Sequence, residues 1–134
     1  MTEETVSPEV LLLDDDRFLL DMYSAKFIQS GFKAHPFQSA DEALVALRGG
    51  LKPTAILFDL VMPTTDGFSF LATVTGEKLA PQSVLIALTN QSNDTDKAQV
   101  DKLGASRYVV KATMIPSEVV NMVKEEIAKA VKKA

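Results

Sequence analysis

The chain alternates between short apolar segments and longer segments in which apolar residues recur at helical spacing. Residues 10–13 are apolar at every position, which is typical of a strand covered on both faces of a sheet. Comparable strands are predicted at 32–37, 54–58, 84–88 and 107–110. Helical spacing, capping residues and glycine stops predict helices over 17–30, 40–47, 68–74 and from Ser92 or Asn93 to 103. A fifth helix is predicted to follow Ser117 as its cap, with one apolar stripe reaching residue 131.

Strands that alternate with helices predict an α/β fold in which a five-stranded parallel sheet is doubly wound, with five helices on its two faces. Connections between parallel strands are right-handed, which leaves few topologies. We expect residues 1–8 to form a flexible amino-terminal segment and residues 9–132 to form one domain. No sequence repeat, linker or low-complexity segment interrupts that domain.

Polar groups follow four of the five predicted strands. These groups are Asp14, Asp15 and Asp16 after the first strand, Asp59 after the third, Thr89 after the fourth and Lys111 after the fifth. The second strand has only His35 and Pro36 near its end. Ligands of open α/β sheets bind beyond the carboxyl ends of the strands, where the strand order reverses. The flavodoxin-like order 2-1-3-4-5 places the exceptional second strand at an edge, and we therefore predict that order.

The predicted cluster of carboxylates points to a metal and a phosphoryl group. Aspartates on two adjacent strands would repel one another and raise one another's pKa values unless a cation lay between them. The chain has no cysteine and a single histidine, so any metal must be held by oxygen ligands, which favours Mg²⁺, Mn²⁺ or Ca²⁺. Lys111 adds positive charge and Thr89 adds a hydroxyl donor. Positioning and charge neutralisation of this kind suit phosphoryl transfer.

Each of these residues also has a simpler interpretation on its own. The aspartate triplet can cap a helix, Asp59 can form a turn before Pro63, and a lone lysine is most often a solvated charge. Thr89 can be an ordinary strand-end residue. A functional site is indicated because all of these residues fall at converging strand ends.

Composition limits the remaining possibilities. The chain has 134 residues, a formal net charge of −4 and a pI of about 4.9, and its basic residues are spread along its length. A size of one domain and an acidic balance indicate that it does not bind nucleic acid directly. It contains no apolar run of the ~20 residues that cross a membrane, and its polar start is unlike a signal peptide. We therefore expect a cytoplasmic protein without membrane contact.

Four segments carry a resemblance to a known family. They are VLLLDDD at 10–16, DLVMPTTDG at 59–67, ALTN at 87–90 and GASRYVVK at 104–111. In these segments the chain resembles the CheY-like receiver domains of two-component response regulators, and the likeness runs from about residue 9 to residue 130. The run Asp-x-x-Met-Pro-x-x-Asp-Gly is the most specific of the four.

The resemblance implies a role for each matching residue. Asp59 would be the phosphoacceptor, and Mg²⁺, with Mn²⁺ as the alternative, would bind Asp15, Asp14, Asp59 and the backbone carbonyl of Val61. The implied phosphoryl-binding residues are Lys111, Thr89 and Asn90, and the implied switch pair is Thr89 and Tyr108. The phosphoryl group would come from a histidine kinase or a histidine phosphotransfer protein. An unknown target would read the face formed by the fourth helix, fifth strand and fifth helix.

Two departures from the family pattern bear on this site. The family usually has a proline after the lysine, joined by a cis bond, whereas this chain has Ala112, so we expect a trans bond or a strained cis bond there. Asn90 is larger than the residue the family prefers and would narrow access to Asp59. Val61 and Gln91 occupy positions that tune self-dephosphorylation in the family.

Other functions remain open at this point. A signalling domain would have at most self-phosphorylation and self-dephosphorylation activity and would not be an enzyme. A pseudo-receiver would act only through protein contacts. A haloacid-dehalogenase-type phosphatase would use Asp14 as nucleophile and Asp16 as acid–base, and an FMN carrier would meet repulsion from the aspartates. The sequence identifies neither the kinase, the output nor the oligomeric state, and it fits a stand-alone regulator or an excised receiver.

Overall fold

The computed structural model describes residues 7–90 and 92–133, with side chains described as far as Val131. Its centre is one parallel sheet with the predicted strand order β2-β1-β3-β4-β5. The strands are β1 (Glu9–Leu13), β2 (Lys33–Phe37), β3 (Ala55–Asp59), β4 (Val84–Thr89) and β5 (Arg107–Val110). Each starts or ends within one residue of its predicted position. The predicted segment 1–8 lies mostly outside the described residues.

Five α-helices connect or follow the strands in the described part of the chain. They are α1 (Arg17–Gln29), α2 (Ala40–Arg48), α3 (Gly67–Gly76), α4 (Asp94–Lys102) and α5 (Pro116–Lys133). Predicted caps are present at Ser39 and Asn93, whose side chains accept hydrogen bonds from Glu42 N and Asp96 N at 3.1 Å and 3.0 Å. None of these helices is long and apolar enough to cross a membrane.

Two features near α5 differ from the sequence expectations, and β2 contains a polar contact that the sequence did not predict. Ser117 does not cap the last helix, because α5 begins at Pro116 and Ser117 lies inside its first turn; proline suits the first helical position, where its missing N–H costs nothing. A short 3₁₀ turn, Lys111–Thr113, was not predicted. His35 lies inside β2, as the predicted strand at 32–37 implies, and its Nε2 is 2.8 Å from Oε1 of Glu9.

The sheet separates two apolar clusters, one on each face. Successive strand residues point to opposite faces, so Leu11 and Leu13 pack with α2 and α3, whereas Val10 and Leu12 pack with α1 and α5. All four side chains are at most 2% exposed. This explains why the first strand is apolar at every position, since both of its faces are covered.

Strand register brings the polar strand ends together. Leu13 of β1 is paired with Phe58 of β3, so Asp14 and Asp59 are the next residues on two neighbouring strands. Asp59 is in turn paired with Leu88, one position before Thr89 on β4. The carboxyl ends of the three central strands, β1, β3 and β4, therefore converge at one edge of the sheet, with β2 and β5 as the outer strands.

Candidate functional site

Three carboxylates and one ammonium group meet at the carboxyl edge of the sheet. Asp14, Asp15 and Asp59 each offer an oxygen, and these oxygens all lie within 4.8 Å of one another. The Nζ atom of Lys111 lies 2.7 Å from Oδ2 of Asp14 and 3.4 Å from Oδ2 of Asp59. We call these four residues the acidic pocket. The sequence predicted all four, and the structure brings them together.

Asp59 lies at the bottom of the acidic pocket with one unpaired oxygen. Its side chain is 3% exposed, and Oδ1 is a buried atom with no hydrogen-bond partner in the described chain. Burial raises the pKa of Asp59 to about 6; Lys111 and a hydrogen bond from the Val61 backbone oppose this rise, and Asp14 adds to it. The charged form of Asp59 is therefore less favourable than that of a solvated aspartate.

Lys111 supplies the positive charge in this pocket. Its side chain is only 9% exposed. Burial alone would lower the pKa of Lys111, but the hydrogen bond and the charge of Asp14, with smaller contributions from Asp59, outweigh burial and raise that pKa. Lys111 thus stays charged at neutral pH. The bond that follows it is trans, since the described chain has no cis peptide bond, and this agrees with one of the two conformations expected before Ala112.

The three consecutive aspartates have three different environments. Asp14 is buried, and its Oδ1 accepts a hydrogen bond from the Asp16 amide at 2.9 Å while Oδ2 contacts Lys111. Asp15 is exposed at the mouth of the pocket. Asp16 caps α1 and accepts from the Leu19 amide at 3.2 Å. The capping interpretation therefore holds for Asp16 alone, and Asp14 and Asp15 remain for the pocket.

The other predicted site residues surround the pocket. Thr89 is 4% exposed at the end of β4, whereas Asn90 after it is exposed. The Val61 side chain is 70% exposed, and a hydrogen bond from the Val61 backbone reaches Asp59. Tyr108 is half-buried on β5, and its hydroxyl oxygen accepts from the Asn93 amide at 3.1 Å. Gln91 lies outside the described residues.

The loop after Asp59 is shaped by residues that the sequence analysis did not single out. A Cβ on Gly67 would lie 2.7 Å from Cα of Leu60 and also strike the Asp59 carbonyl, so only glycine fits where α3 starts against the end of β3. Asp66 caps that helix through a 2.9 Å hydrogen bond from Ser69 N. Thr64 has a φ of 70°, a conformation that β-branched residues rarely adopt. In the sequence, the Asp-Gly pair after Pro63 was the feature that could have predicted both the helix cap and the close packing of α3 against the end of β3.

Tyr23 is a further residue at the base of the site. It lies in α1 with 4% of its surface exposed. Burial raises the pKa of Tyr23; Lys111 opposes the rise, and the charges of Asp14 and Asp59 add to it. The sequence showed Tyr23 only as a member of an apolar helical stripe, because its distance from the strand ends depends on how α1 packs on the sheet.

The donor set of the acidic pocket fits a hard divalent cation. Three carboxylate oxygens lie close enough to share one ion, and Oδ1 of Asp59 is buried without a partner. Mg²⁺ prefers oxygen ligands of this kind and retains several waters, for which the exposed position of Asp15 leaves room. The residues present therefore fit a metal ion. Lys111, whose Nζ contacts Asp14, already opposes part of the carboxylate charge.

Comparison with known proteins agrees with this geometry. The family model of the response regulator receiver domain matches residues 10–124. The regulatory protein VanRc of Enterococcus gallinarum is 29% identical over 122 residues, covering 91% of this chain and 51% of VanRc. The transcriptional regulatory protein ResD of Bacillus subtilis is 30% identical over 133 residues, covering 96% of this chain and 51% of ResD. The chain thus spans about half the length of the curated relatives it matches.

A solved structure shows the same fold. The CheY-like response regulator receiver domain protein from Methanospirillum hungatei superposes with a TM-score of 0.87 at 22% identity, covering 96% of this chain and all of that one. The fold is of the doubly wound α/β class, with acidic residues that converge at the carboxyl edge of its sheet. The chain belongs to the receiver domains of two-component response regulators.

Proposed function

We propose that Asp59 accepts a phosphoryl group from a phosphohistidine of a histidine kinase or histidine phosphotransfer protein. The observation that carries this proposal is Oδ1 of Asp59, a buried oxygen without a partner beside two other carboxylates and an ammonium group. Such an arrangement is unfavourable as a purely structural feature, because a buried carboxylate oxygen without a hydrogen-bond partner disfavours the charged form. It suits a nucleophile whose missing partner is the phosphorus atom of a donor.

Asp59 is ionised in most molecules at neutral pH, since its pKa of about 6 lies below 7. In the proposed step a carboxylate oxygen of Asp59 forms a bond to phosphorus while the bond from phosphorus to the donor's imidazole nitrogen breaks, and the electron pair leaves with the imidazole. Lys111, which contacts both Asp14 and Asp59, would pair with a phosphoryl oxygen. The buried hydroxyl of Thr89 would donate to another phosphoryl oxygen.

We infer that Asp14, Asp15, Asp59 and the Val61 backbone carbonyl would hold Mg²⁺, with Mn²⁺ as the alternative. A bound divalent cation supplies charge neutralisation for phosphoryl oxygens and removes the mutual repulsion of the carboxylates. Asp15 is the one exposed carboxylate of the three, and it is the group through which an ion would exchange with solvent. Asn90, exposed beside Thr89, would contact the phosphoryl group from the solvent side.

The same proposal includes a switch at Thr89 and Tyr108. Thr89 ends β4, and Tyr108 lies on the adjacent β5, paired with Ala87 two positions before Thr89. The Tyr108 hydroxyl contacts the Asn93 amide at the start of α4. Val100 is the buried residue of α4, so few apolar contacts hold this helix to the sheet. A change at Thr89 would reach the face formed by α4, β5 and α5 through Tyr108, and a target protein would bind there.

Beryllofluoride, which mimics an aspartyl phosphate, tests the proposal directly. We expect it to bind the unmodified chain with Mg²⁺ present and to shift amide resonances at Asp59, Thr89 and Tyr108. Asp59→Asn should abolish binding, and Asp16→Asn, which alters only the cap of α1, should retain it. Absence of binding at millimolar Mg²⁺ would favour a pseudo-receiver, and acyl phosphate on Asp14 after treatment with a small phosphodonor would favour the phosphatase alternative.

The wider role is proposed on the same basis. We propose a cytoplasmic signalling domain, comprising residues 9–132, that is not an enzyme beyond self-phosphorylation and self-dephosphorylation. Its net charge of −4 supports action through protein contacts rather than direct nucleic-acid binding. MtrA of Mycolicibacterium smegmatis, a relative that is 27% identical, is named a DNA-binding response regulator, and this chain covers 52% of it. Whether this chain is joined to an output domain is testable from its neighbouring coding sequence.

A further inference from the structure

Lys111 reaches the acidic pocket from a tight backbone turn. The 3₁₀ turn Lys111–Thr113 follows β5 directly, and the chain returns to an extended conformation at Met114. Within the turn, the backbone bond from Met114 N to the Lys111 carbonyl is long, at 3.4 Å. A weak backbone bond leaves the closure of this turn to other groups.

The hydroxyl of Thr113 makes the shortest hydrogen bond that closes the turn. It donates to the carbonyl of Val110, the last residue of β5, at 2.7 Å. That bond spans Lys111 and Ala112, and so it fixes the direction in which the Lys111 side chain leaves the backbone. The Thr113 side chain is otherwise exposed, and no core packing explains its position.

The far end of the loop is held separately. Met114 packs against the cluster on the α1 and α5 face. The amide of Ile115 donates to the Glu118 carboxylate at 3.0 Å, just before α5 begins. The segment between β5 and α5 is therefore fixed at Val110 and from Met114 onward, and the Thr113 hydroxyl makes a 2.7 Å hydrogen bond across the residues between them.

We propose that Thr113 is a positioning residue that holds Lys111 in contact with Asp14 and Asp59. The Nζ atom of Lys111 lies 2.7 Å from Asp14 and 3.4 Å from Asp59, contacts that depend on where the backbone places a long side chain. An error of about 1 Å in such placement strongly reduces phosphoryl-transfer efficiency. This inference rests on the proposed role of Lys111 in phosphoryl binding.

The experiment compares Thr113→Val, Thr113→Ser and the unmodified chain without metal or phosphodonor. Each protein is labelled with an amine-reactive acetylating reagent, and the rate at each lysine is read by mass spectrometry. Lys111 is 9% exposed and should label slowly. Loss of one hydrogen bond should raise its rate about fivefold in Thr113→Val, and Thr113→Ser should restore the slow rate. A fast rate in both variants would show that the hydroxyl is not the cause and would overturn the proposal.

Thr73→Val provides the matched control, because the Thr73 hydroxyl donates to the Ser69 carbonyl at 2.9 Å within α3. It should leave the Lys111 rate unchanged. An equal increase at every lysine of Thr113→Val would indicate general loosening and would overturn the proposal, as would an unchanged Lys111 rate.

In a separate measurement, the affinity for beryllofluoride with Mg²⁺ should fall about fivefold in Thr113→Val and recover in Thr113→Ser. Failure of the unmodified chain to bind beryllofluoride would refute the proposed function and leave the labelling result to decide the role of Thr113.

Discussion

Lys111 and Asp14, separated by 97 positions in the sequence, form a buried ion pair in which Nζ and Oδ2 lie 2.7 Å apart. The same ammonium group is 3.4 Å from Asp59, so a single cation opposes two buried carboxylates. Charges of this kind destabilise the fold when their partner is removed, because each then remains in a poorly solvated site. The pair therefore links the stability of the chain to the state of its acidic pocket.

Lys111→Met should lower the free energy of unfolding by about 3 kcal/mol at pH 7.5, because Asp14 and Asp59 lose their common partner. Urea titration followed by circular dichroism measures this change. Lys129→Met, which removes an exposed partner of Glu126, should cost less than about 1 kcal/mol. Equal losses in the two variants would contradict the burial argument.

Asp59→Asn should stabilise the metal-free chain at pH 7.5 by on the order of 2–3 kcal/mol, because burial raises the pKa of Asp59 to about 6 and so disfavours its charged form. Folding raises the pKa of Asp59 from near 4 to about 6. Protonated Asp59 therefore contributes its full stabilisation of the fold at pH values below about 4. That contribution is lost as pH rises through about 6, because the unfolded chain releases this proton first. The gain from Asp59→Asn should therefore be smaller at pH 4.5 than at pH 7.5.

Urea titrations of both proteins at the two pH values measure this difference. The same titrations with 10-fold increases in Mg²⁺ should stabilise the unmodified chain and have little effect on Asp59→Asn, since binding to the folded state alone stabilises it by mass action. A gain from Asp59→Asn that is independent of pH would contradict the assignment of the raised pKa to Asp59.

Gly67→Ala should lower the free energy of unfolding by about 2 kcal/mol and weaken beryllofluoride binding, because the new Cβ would strike the backbone of Asp59 and Leu60. Gly76→Ala is the control within the same helix. Nothing lies within 4 Å of a Cβ at Gly76, and alanine there should be neutral or stabilising by up to about 1 kcal/mol. Thermal unfolding of both variants would decide the point, and a harmless Gly67→Ala would count against the close contact.

Thr64→Asn should raise the stability by about 1 kcal/mol, since asparagine tolerates the left-handed conformation in which Thr64 is held at φ 70°. Thr65→Asn provides the comparison at the next position. It lacks the positive φ, and its hydroxyl donates to Asp41 at 3.3 Å, so its replacement should be neutral or destabilising. The denaturation midpoint should consequently rise for Thr64→Asn and stay unchanged or fall for Thr65→Asn.

Tyr108→Phe should increase amide hydrogen exchange at Asn93 and the first turn of α4 by about fivefold, because the Tyr108 hydroxyl no longer accepts from the Asn93 amide. The first turns of α1 and α2, whose caps do not involve Tyr108, should exchange at unchanged rates. Exchange measured by NMR resolves each amide. Unchanged exchange at Asn93 would indicate that this contact does not hold the start of α4.

Apolar patterning determined most of the fold. The continuous apolar segments at 10–13 and 84–88 had to be strands covered on both faces, and the alternation with helices required a parallel sheet. Helix ends followed from local chemistry at Ser39 and Asn93, where a short polar side chain can satisfy an exposed amide. The first residue of α5 was misassigned because Ser117 and Pro116 both favour a helix start, and the local sequence does not choose between them.

The identity of the residues of the acidic pocket was also contained in the sequence, since Asp14, Asp15, Asp59 and Lys111 all follow predicted strands. The sequence did not reveal the energetics of these residues. The unpaired Oδ1 of Asp59, its pKa of about 6 and the direct contact between Lys111 and Asp14 depend on the burial and distances that strand register creates. The turn closed by Thr113 and the contact of Tyr108 with Asn93 likewise join residues whose separation only the packed chain defines. Residue type and order are local properties, whereas solvation and proximity of charges arise only when distant segments meet.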